Sequence, residues 1–132
     1  MLRDDNPGVE PGETAGPPEV LAGESYLYLS TTGRVTGRVH EIEIWFALED
    51  GNAYLLSGGG DASDWVRNLR AHPGCRVRLG GRRFAARARI VEEGTPEDGR
   101  ARELLYAKYQ PGYSGDLASW RDSALVVALQ LE

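Results

Sequence analysis

Short alternations of hydrophobic and polar residues run along most of the chain and predict β-strands. Residues 26–32 are rich in aromatic and β-branched side chains and predict a first strand, which ends at a glycine-bounded turn over 33–37. Apolar residues at every second position predict a second strand over 38–48. A third strand is predicted over 53–57, after the Asp-Gly-Asn turn at 50–52.

The clearest hairpin lies further along the chain. Residues 75–79 and 83–90 alternate between apolar side chains and arginine, and the glycine pair at 80–81 predicts a two-residue turn between them. Residues 123–131 predict a sixth and last strand.

Two helices are predicted between these strands. The first starts from a cap at Asp61 or Ser63 and ends near His72, before a Pro-Gly pair. The second covers residues 96–109 and has a proline at its first position. Six short strands with two inserted helices predict a mainly β fold, a small closed β-barrel.

Charged residues are distributed unevenly. The formal net charge is −5, yet residues 65–89 contain eight arginines and no acidic residue. The acidic total speaks against general nucleic-acid binding, whereas a concentrated cationic patch favours a small anionic ligand. Arg78 and Arg83 lie opposite each other in the predicted hairpin, and they repel unless an anion or a carboxylate intervenes. Carboxylates at 92–93 or 97–98 are the structural alternative to a bound anion.

Residues 1–24 differ in composition from the rest of the chain. They contain four prolines and six acidic residues, which predicts a disordered tail before one folded domain over 25–132. The longest apolar run is too short to cross a bilayer, and no signal-peptide-like stretch is present. The single cysteine, Cys75, excludes an internal disulfide. We therefore expect a cytoplasmic protein without an integral membrane segment, a metal site or a nucleic-acid partner.

A glycine-rich loop precedes the first predicted helix. Its residues are Ser57, Gly58, Gly59 and Gly60. Consecutive glycines let a ligand approach the backbone, and free amide groups at a helix N-terminus bind anions. The alternative is a flexible strand-to-helix connection without a ligand.

Three blocks of sequence, in matching order and spacing, resemble the deazaflavin-dependent nitroreductases. Residues 29–38 are similar to that family's Thr-Thr-Gly-Arg-x-Ser/Thr-Gly-Arg block. Residues 65–73 resemble its Trp-x-x-Asn-Leu-x-x-x-Pro helix, and residues 75–88 resemble its Val-x-Val-x-x-Gly-x-x-x-x-Ala hairpin.

The resemblance implies a six-stranded split β-barrel of the FMN-binding type that works as a homodimer. It also implies hydride transfer from reduced coenzyme F-420, a deazaflavin, to a quinone, a nitroaromatic or another small-molecule electron acceptor. The cofactor carries the redox chemistry, so the protein has to bind, orient and screen it.

The family's cofactor-binding positions carry over to this chain residue by residue. They are Thr31, Thr32, Arg34, Thr36, Arg38, Ser57, Gly58, Gly59, Gly60, Trp65 and Asn68. On this resemblance Arg34 and Arg38 hold the cofactor's phosphate, and the threonines add hydroxyl donors.

Tyrosines towards the C-terminus line the acceptor pocket in this family. Tyr113, Tyr109 and Tyr106 are the corresponding candidates, and a phenol could donate the proton that follows hydride transfer. Packing within their own helix is the alternative role for Tyr106 and Tyr109.

Three departures from the family pattern leave other functions open. Val35 stands where lysine is frequent, Asp61 stands where the loop is basic, and residues 43–46 replace a Pro-Leu-x-Tyr segment. Val35 and Asp61 reduce the positive charge available to an acidic polyglutamate tail. The alternatives are an FMN-dependent split-barrel reductase or oxidase, and a non-catalytic protein that binds flavin or haem.

Overall fold

The computed structural model describes residues 19–132, and the first described element is one turn of 3-10 helix at Glu19–Gly23. Its Leu21 is only 7% exposed and packs into the main hydrophobic core. The prediction of a disordered tail over residues 1–24 is therefore wrong for residues 19–23, which form a helical turn held by the buried Leu21 side chain. Residues 1–18 of that predicted tail lie outside the described residues.

Seven strands form one antiparallel sheet. They are β1 (Leu27–Thr32), β2 (Val39–Ile44), β3 (Ala47–Glu49), β4 (Asn52–Ser57), β5 (Gly74–Leu79), β6 (Arg82–Ile90) and β7 (Leu125–Leu131). Their order across the sheet is β2-β1-β5-β6-β7-β4-β3, so β2 and β3 are its two edges within the described residues. The sheet is curled into a half-barrel, and the closed barrel predicted from the strand pattern is corrected accordingly.

The prediction of six strands is wrong because the segment 38–48 is not one strand. It is interrupted at Trp45 and Phe46, and its two parts lie at opposite edges of the sheet. Phe46 is fully buried, and its backbone N–H donates to the Tyr109 hydroxyl at 3.0 Å. A contact with a residue 63 positions away takes the chain out of the β2 ladder at this point.

Three α-helices are added to the sheet: α1 (Asp64–Ala71), α2 (Pro96–Tyr109) and α3 (Ala118–Ser123). The prediction of α2 is confirmed at both ends, and the Thr95 side chain caps it by accepting from the Asp98 N–H at 3.2 Å. The short α3 was not predicted. None of the helices described between residues 19 and 132 has both the length and the hydropathy that crossing a bilayer requires.

The sheet has a core on each face. Alternate residues of β7 divide between the two cores: Val127 and Leu129 pack inside the curl with α1, whereas Val126 and Ala128 pack on the outer face with α2. The outer face of β1, β5 and the first half of β6 carries polar residues and arginine, outside the part that α2 and α3 cover. Five of the eight arginines of the cationic patch are on this face of the hairpin: Arg76, Arg78, Arg83, Arg87 and Arg89.

Candidate cofactor site

The largest cavity described within residues 19–132 lies where the turn between β1 and β2 meets the start of α1, and its volume is about 730 Å³. It brings together Thr31, Arg34, Thr36, Arg38, Trp65 and Asn68, six of the eleven residues predicted to bind the cofactor. Thr32 lines a neighbouring cavity of about 340 Å³ instead.

Asn68 joins this turn to α1. Its Oδ1 accepts from the Arg34 backbone N–H at 3.1 Å and from Arg34 Nη1 at 2.8 Å, while its Nδ2 donates to Thr31 Oγ1 at 3.2 Å. Asn68 is 4% exposed and Thr31 is 3% exposed. Because these polar atoms already have protein partners, Asn68 and Thr31 fix the position of the turn.

Gly33 lets this turn close tightly. A Cβ at Gly33 would lie 2.9 Å from His40 Nε2, closer than real Cβ contacts, and 3.0 Å from the Arg38 carbonyl oxygen, closer than most of them. The Gly33 N–H donates to that same carbonyl at 2.7 Å. The glycine of the Thr-Thr-Gly-Arg block is thus a packing requirement of the cavity wall.

The two predicted phosphate-binding arginines have different surroundings. Arg34 Nη2 lies 3.1 Å from Asp64 Oδ1, so this guanidinium already has a carboxylate partner. Within residues 19–132 Arg38 has no such partner, and its backbone N–H donates to Thr36 Oγ1 at 3.2 Å. The sequence analysis did not identify Asp64, because an acidic residue in the first turn of a helix is ordinary.

The glycine-rich loop does not line this cavity. Ser57 is 1% exposed, and its hydroxyl donates to the Gly60 carbonyl at 3.0 Å and lies 2.8 Å from Ser63 Oγ. Trp120 lies next to the loop, with its Cδ1 3.9 Å from where a Cβ of Gly58 would be. The loop leads into α1, whose first residue Asp64 contacts Arg34, but no residue of the loop itself lines the cavity.

Trp45 is the centre of an aromatic cluster next to that loop. Its ring stacks on Tyr109 with centroids 4.3 Å apart, and meets Tyr113 and Trp120 edge-on at 5.9 Å and 5.6 Å. A cavity of about 310 Å³ lies beside Trp45 and includes Ile44 of β2. The largest cavity includes Ile42, so the two cavities follow one another along this edge strand.

The three candidate tyrosines differ in availability. Tyr113 is 47% exposed beside Trp45. The Tyr109 hydroxyl accepts from the Phe46 N–H and donates to the Ser25 carbonyl at 2.7 Å, and burial raises its pKa to about 12. Tyr106 packs under the Arg121 guanidinium, 4.3 Å from its ring centroid. These contacts favour the packing alternative for Tyr109 and Tyr106 and leave Tyr113 as the accessible phenol.

The arginine hairpin has the predicted register, with Arg78 opposite Arg83. Carboxylates neutralise the arginine charges at the two ends of the hairpin. The Arg78 guanidinium lies over the Tyr28 ring, 4.0 Å from its centroid, and 3.4 Å from the Glu41 carboxylate. The sequence did not suggest Glu41 as its partner. Arg89 forms a two-pronged pair with Glu97 at 2.7 Å and 2.6 Å, one of the partners that the sequence did suggest.

Cys75 does not have the surroundings of a reactive thiol. It packs against the main core, and burial raises its pKa to about 11. Within the described residues no group of three or more His, Cys, Asp and Glu side chains is arranged to hold a metal ion.

A family model described as F-420H(2)-dependent quinone reductase matches residues 12–132. The chain belongs to this family. The resemblance read from the three sequence blocks is thereby confirmed, and the family's description specifies quinone reduction. The F-420H(2)-dependent quinone reductase of Mycobacterium tuberculosis is 33% identical over 95 residues, which cover 64% of this chain and 63% of that protein.

Solved structures show the same fold. An F-420-H2 dependent reductase superposes with a TM-score of 0.65 at 21% identity, covering 83% of this chain and 95% of its own. HutZ, the haem storage protein from Vibrio cholerae, superposes with a TM-score of 0.69 at 15% identity, and the match covers 86% of this chain and 87% of HutZ. The prediction of a mainly β, split-barrel fold with added helices is confirmed, apart from the strand count.

Proposed function

We propose that this chain binds reduced coenzyme F-420 in the largest cavity and catalyses hydride transfer to a quinone. The observation that carries the proposal is Arg38, which lines this cavity and has no carboxylate within salt-bridge distance among residues 19–132. Membership of the quinone reductase family supports the same conclusion.

The residues of the cavity fit a phosphorylated deazaflavin. Its volume of about 730 Å³ lies within the usual range for sites that hold molecules of this size. Arg38 supplies charge-assisted donors for a phosphate, and Trp65 with Ile42 supplies apolar surface for a ring. When bound, the reduced deazaflavin supplies the hydride.

The chain's own contribution is to bind and orient the cofactor and to screen it from solvent. Asn68 and Thr31 hold the turn so that Arg38 stays at the cavity wall. The aromatic cluster around Trp45 continues the groove along β2 and offers a flat apolar surface to an acceptor. Tyr113, which is exposed beside Trp45, is the residue that we propose as proton donor to the reduced acceptor.

The homodimer stays part of this proposal, as does a cytoplasmic location. One structural neighbour is described as a domain-swapped dimer, with a TM-score of 0.64 at 22% identity. The match to the curated relatives spans less than two thirds of their length, 63%. We therefore propose the quinone substrate and the dimer on family grounds and on the cavity together.

Replacing Arg38 with alanine tests the site. We expect the dissociation constant for coenzyme F-420 to rise by about tenfold or more, because a hydrogen bond to a charged group contributes roughly 1.5–3 kcal/mol. Quenching of tryptophan fluorescence measures the binding, and Arg82→Ala, an exposed arginine of the hairpin, is the matched control. An unchanged constant in Arg38→Ala would refute the assignment. Tighter binding of FMN than of coenzyme F-420 by the unaltered protein would favour the flavin alternative.

A further inference from the structure

The cavity beside Trp45 is bordered by a charged residue that the proposed function does not use. Aromatic and aliphatic side chains form most of its lining: Tyr26, Ile44, Trp45, Leu56 and Trp120. Glu43 is the one charged residue among the described residues that line it. This glutamate is exposed near the end of β2, at the first position of the segment 43–46 that departs from the family pattern.

The partner of Glu43 is a phenol and not a cation. In the sheet, Glu43 lies opposite Tyr28, and Tyr28 lies opposite Arg78 on its other side. The Tyr28 hydroxyl donates to Glu43 Oε2 at 2.9 Å, while the Arg78 guanidinium lies over the Tyr28 ring. The Tyr28 side chain therefore separates the carboxylate from the arginine in the same row of the sheet.

Arg78 neutralises the neighbouring carboxylate instead. Its Nη2 lies 3.4 Å from Glu41 Oε2. Within residues 19–132 no arginine, lysine or histidine lies within salt-bridge distance of Glu43. The hydrogen bond to Glu43 raises the pKa of Tyr28, so the phenol stays a neutral donor. One uncompensated negative charge thus borders a mostly apolar cavity.

We propose that Glu43 is a specificity-determining residue, which makes the cavity beside Trp45 select uncharged quinones over quinones that carry an anionic group. This inference rests on the proposed function, because it takes this cavity as the acceptor site. The aromatic lining packs against a flat ring whatever the charge of its substituents. A carboxylate, a sulfonate or an ionised hydroxyl on that ring is repelled by Glu43, so the selection works against the wrong ligand.

Binding of two naphthoquinones that differ in one substituent tests this role. Menadione carries a methyl group on its quinone ring and is uncharged, whereas lawsone carries in its place a hydroxyl that is ionised at neutral pH. Quenching of tryptophan fluorescence measures both dissociation constants, because Trp45 and Trp120 line the cavity. The proteins are the unaltered chain, Glu43→Gln and the control Glu103→Gln, an exposed glutamate of α2 outside the cavity.

We expect Glu43→Gln to bind lawsone about threefold to tenfold more tightly than the unaltered chain does, and to bind menadione equally well. The preference of the unaltered chain for menadione should decrease with added salt, because the charge of an exposed glutamate is screened. Glu103→Gln should behave like the unaltered chain. Glutamine at position 43 still accepts from the Tyr28 hydroxyl, and circular dichroism shows that the variant is folded.

The outcomes separate this inference from the proposed function. An equal ratio of the two dissociation constants in Glu43→Gln and the unaltered chain refutes the role of Glu43, as does the absence of quenching by either quinone. In both cases, oxidation of reduced coenzyme F-420 by menadione in the same proteins shows that the proposed function stands. If the ratio changes as expected but no protein oxidises the coenzyme, the charge selection by Glu43 stands and the proposed function fails.

Discussion

Asp64 determines how much of the Arg34 charge is available to a ligand. Arg34 Nη2 lies 3.1 Å from Asp64 Oδ1. The Asp64 side chain is 85% exposed, and the Arg34 side chain is 29% exposed. A phosphate at Arg34 has to compete with this carboxylate, whereas a phosphate at Arg38 does not. We therefore propose the first residue of α1 as a specificity position, which the sequence pattern alone did not reveal.

Replacing Asp64 with asparagine removes that competition. We expect the affinity for phosphorylated deazaflavin to increase by about threefold to tenfold, because a repelling charge near the phosphate disappears. The affinity for a deazaflavin without phosphate should not change. Isothermal titration of both ligands measures this difference, and weaker binding of the phosphorylated ligand would contradict the role given to Asp64.

The elements differ in how well the sequence predicts them. The hairpin and α2 depend on local signals, a Gly-Gly turn and a proline at the helix start, and both were predicted nearly to the residue. The break between β2 and β3 depends on the Tyr109 hydroxyl and on burial of Phe46, which are contacts distant in sequence. Local alternation could not reveal it.

Glu97 connects α2 to the sheet and gives a prediction about pH. Its hydrogen bonds from Arg89, and then from Tyr54, lower its pKa to about 2. Because the folded state binds this proton more weakly than the unfolded state, Glu97 stabilises the fold above pH 4.5, its ordinary pKa. This contribution is lost as the pH falls from about 4.5 to about 2.

Thermal unfolding of Glu97→Gln across this pH range tests the prediction. The variant should have a lower Tm at neutral pH, and its Tm should depend less on pH between 4.5 and 2 than that of the unaltered chain. Glu103→Gln, on the same helix with a longer 3.5 Å pair, is the control. An equal pH dependence in Glu97→Gln and the unaltered chain would show that this pair does not stabilise the fold.

At the scale of the whole molecule, the cationic patch is divided by the fold. The eight arginines of residues 65–89 appear in the sequence as one positive segment. The structure pairs some of them with carboxylates from distant elements and leaves Arg76 and Arg87 beside a cavity. The sequence could indicate that an anion binds, but which arginines remain available depends on tertiary contacts.

Six of the predicted cofactor residues share one cavity because the Thr-Thr-Gly-Arg turn and the Trp-x-x-Asn helix pack against each other. Tyr109 and Tyr113 lie beside Trp45, Gly58 of the glycine-rich loop lies near Trp120 of the same cluster, and Tyr106 packs under Arg121. The sequence blocks predict which residues form the site, whereas the position of the loop and the tyrosines outside this cavity required the structure.

The most direct test of the central claim is a single-turnover measurement. The purified chain is mixed anaerobically with reduced coenzyme F-420 and a quinone, and the absorbance of the oxidised deazaflavin is followed. We predict oxidation that depends on both protein and quinone, and that is slower in Arg38→Ala at subsaturating coenzyme. Oxidation no faster than in the protein-free mixture, with the coenzyme bound, would contradict the proposed function.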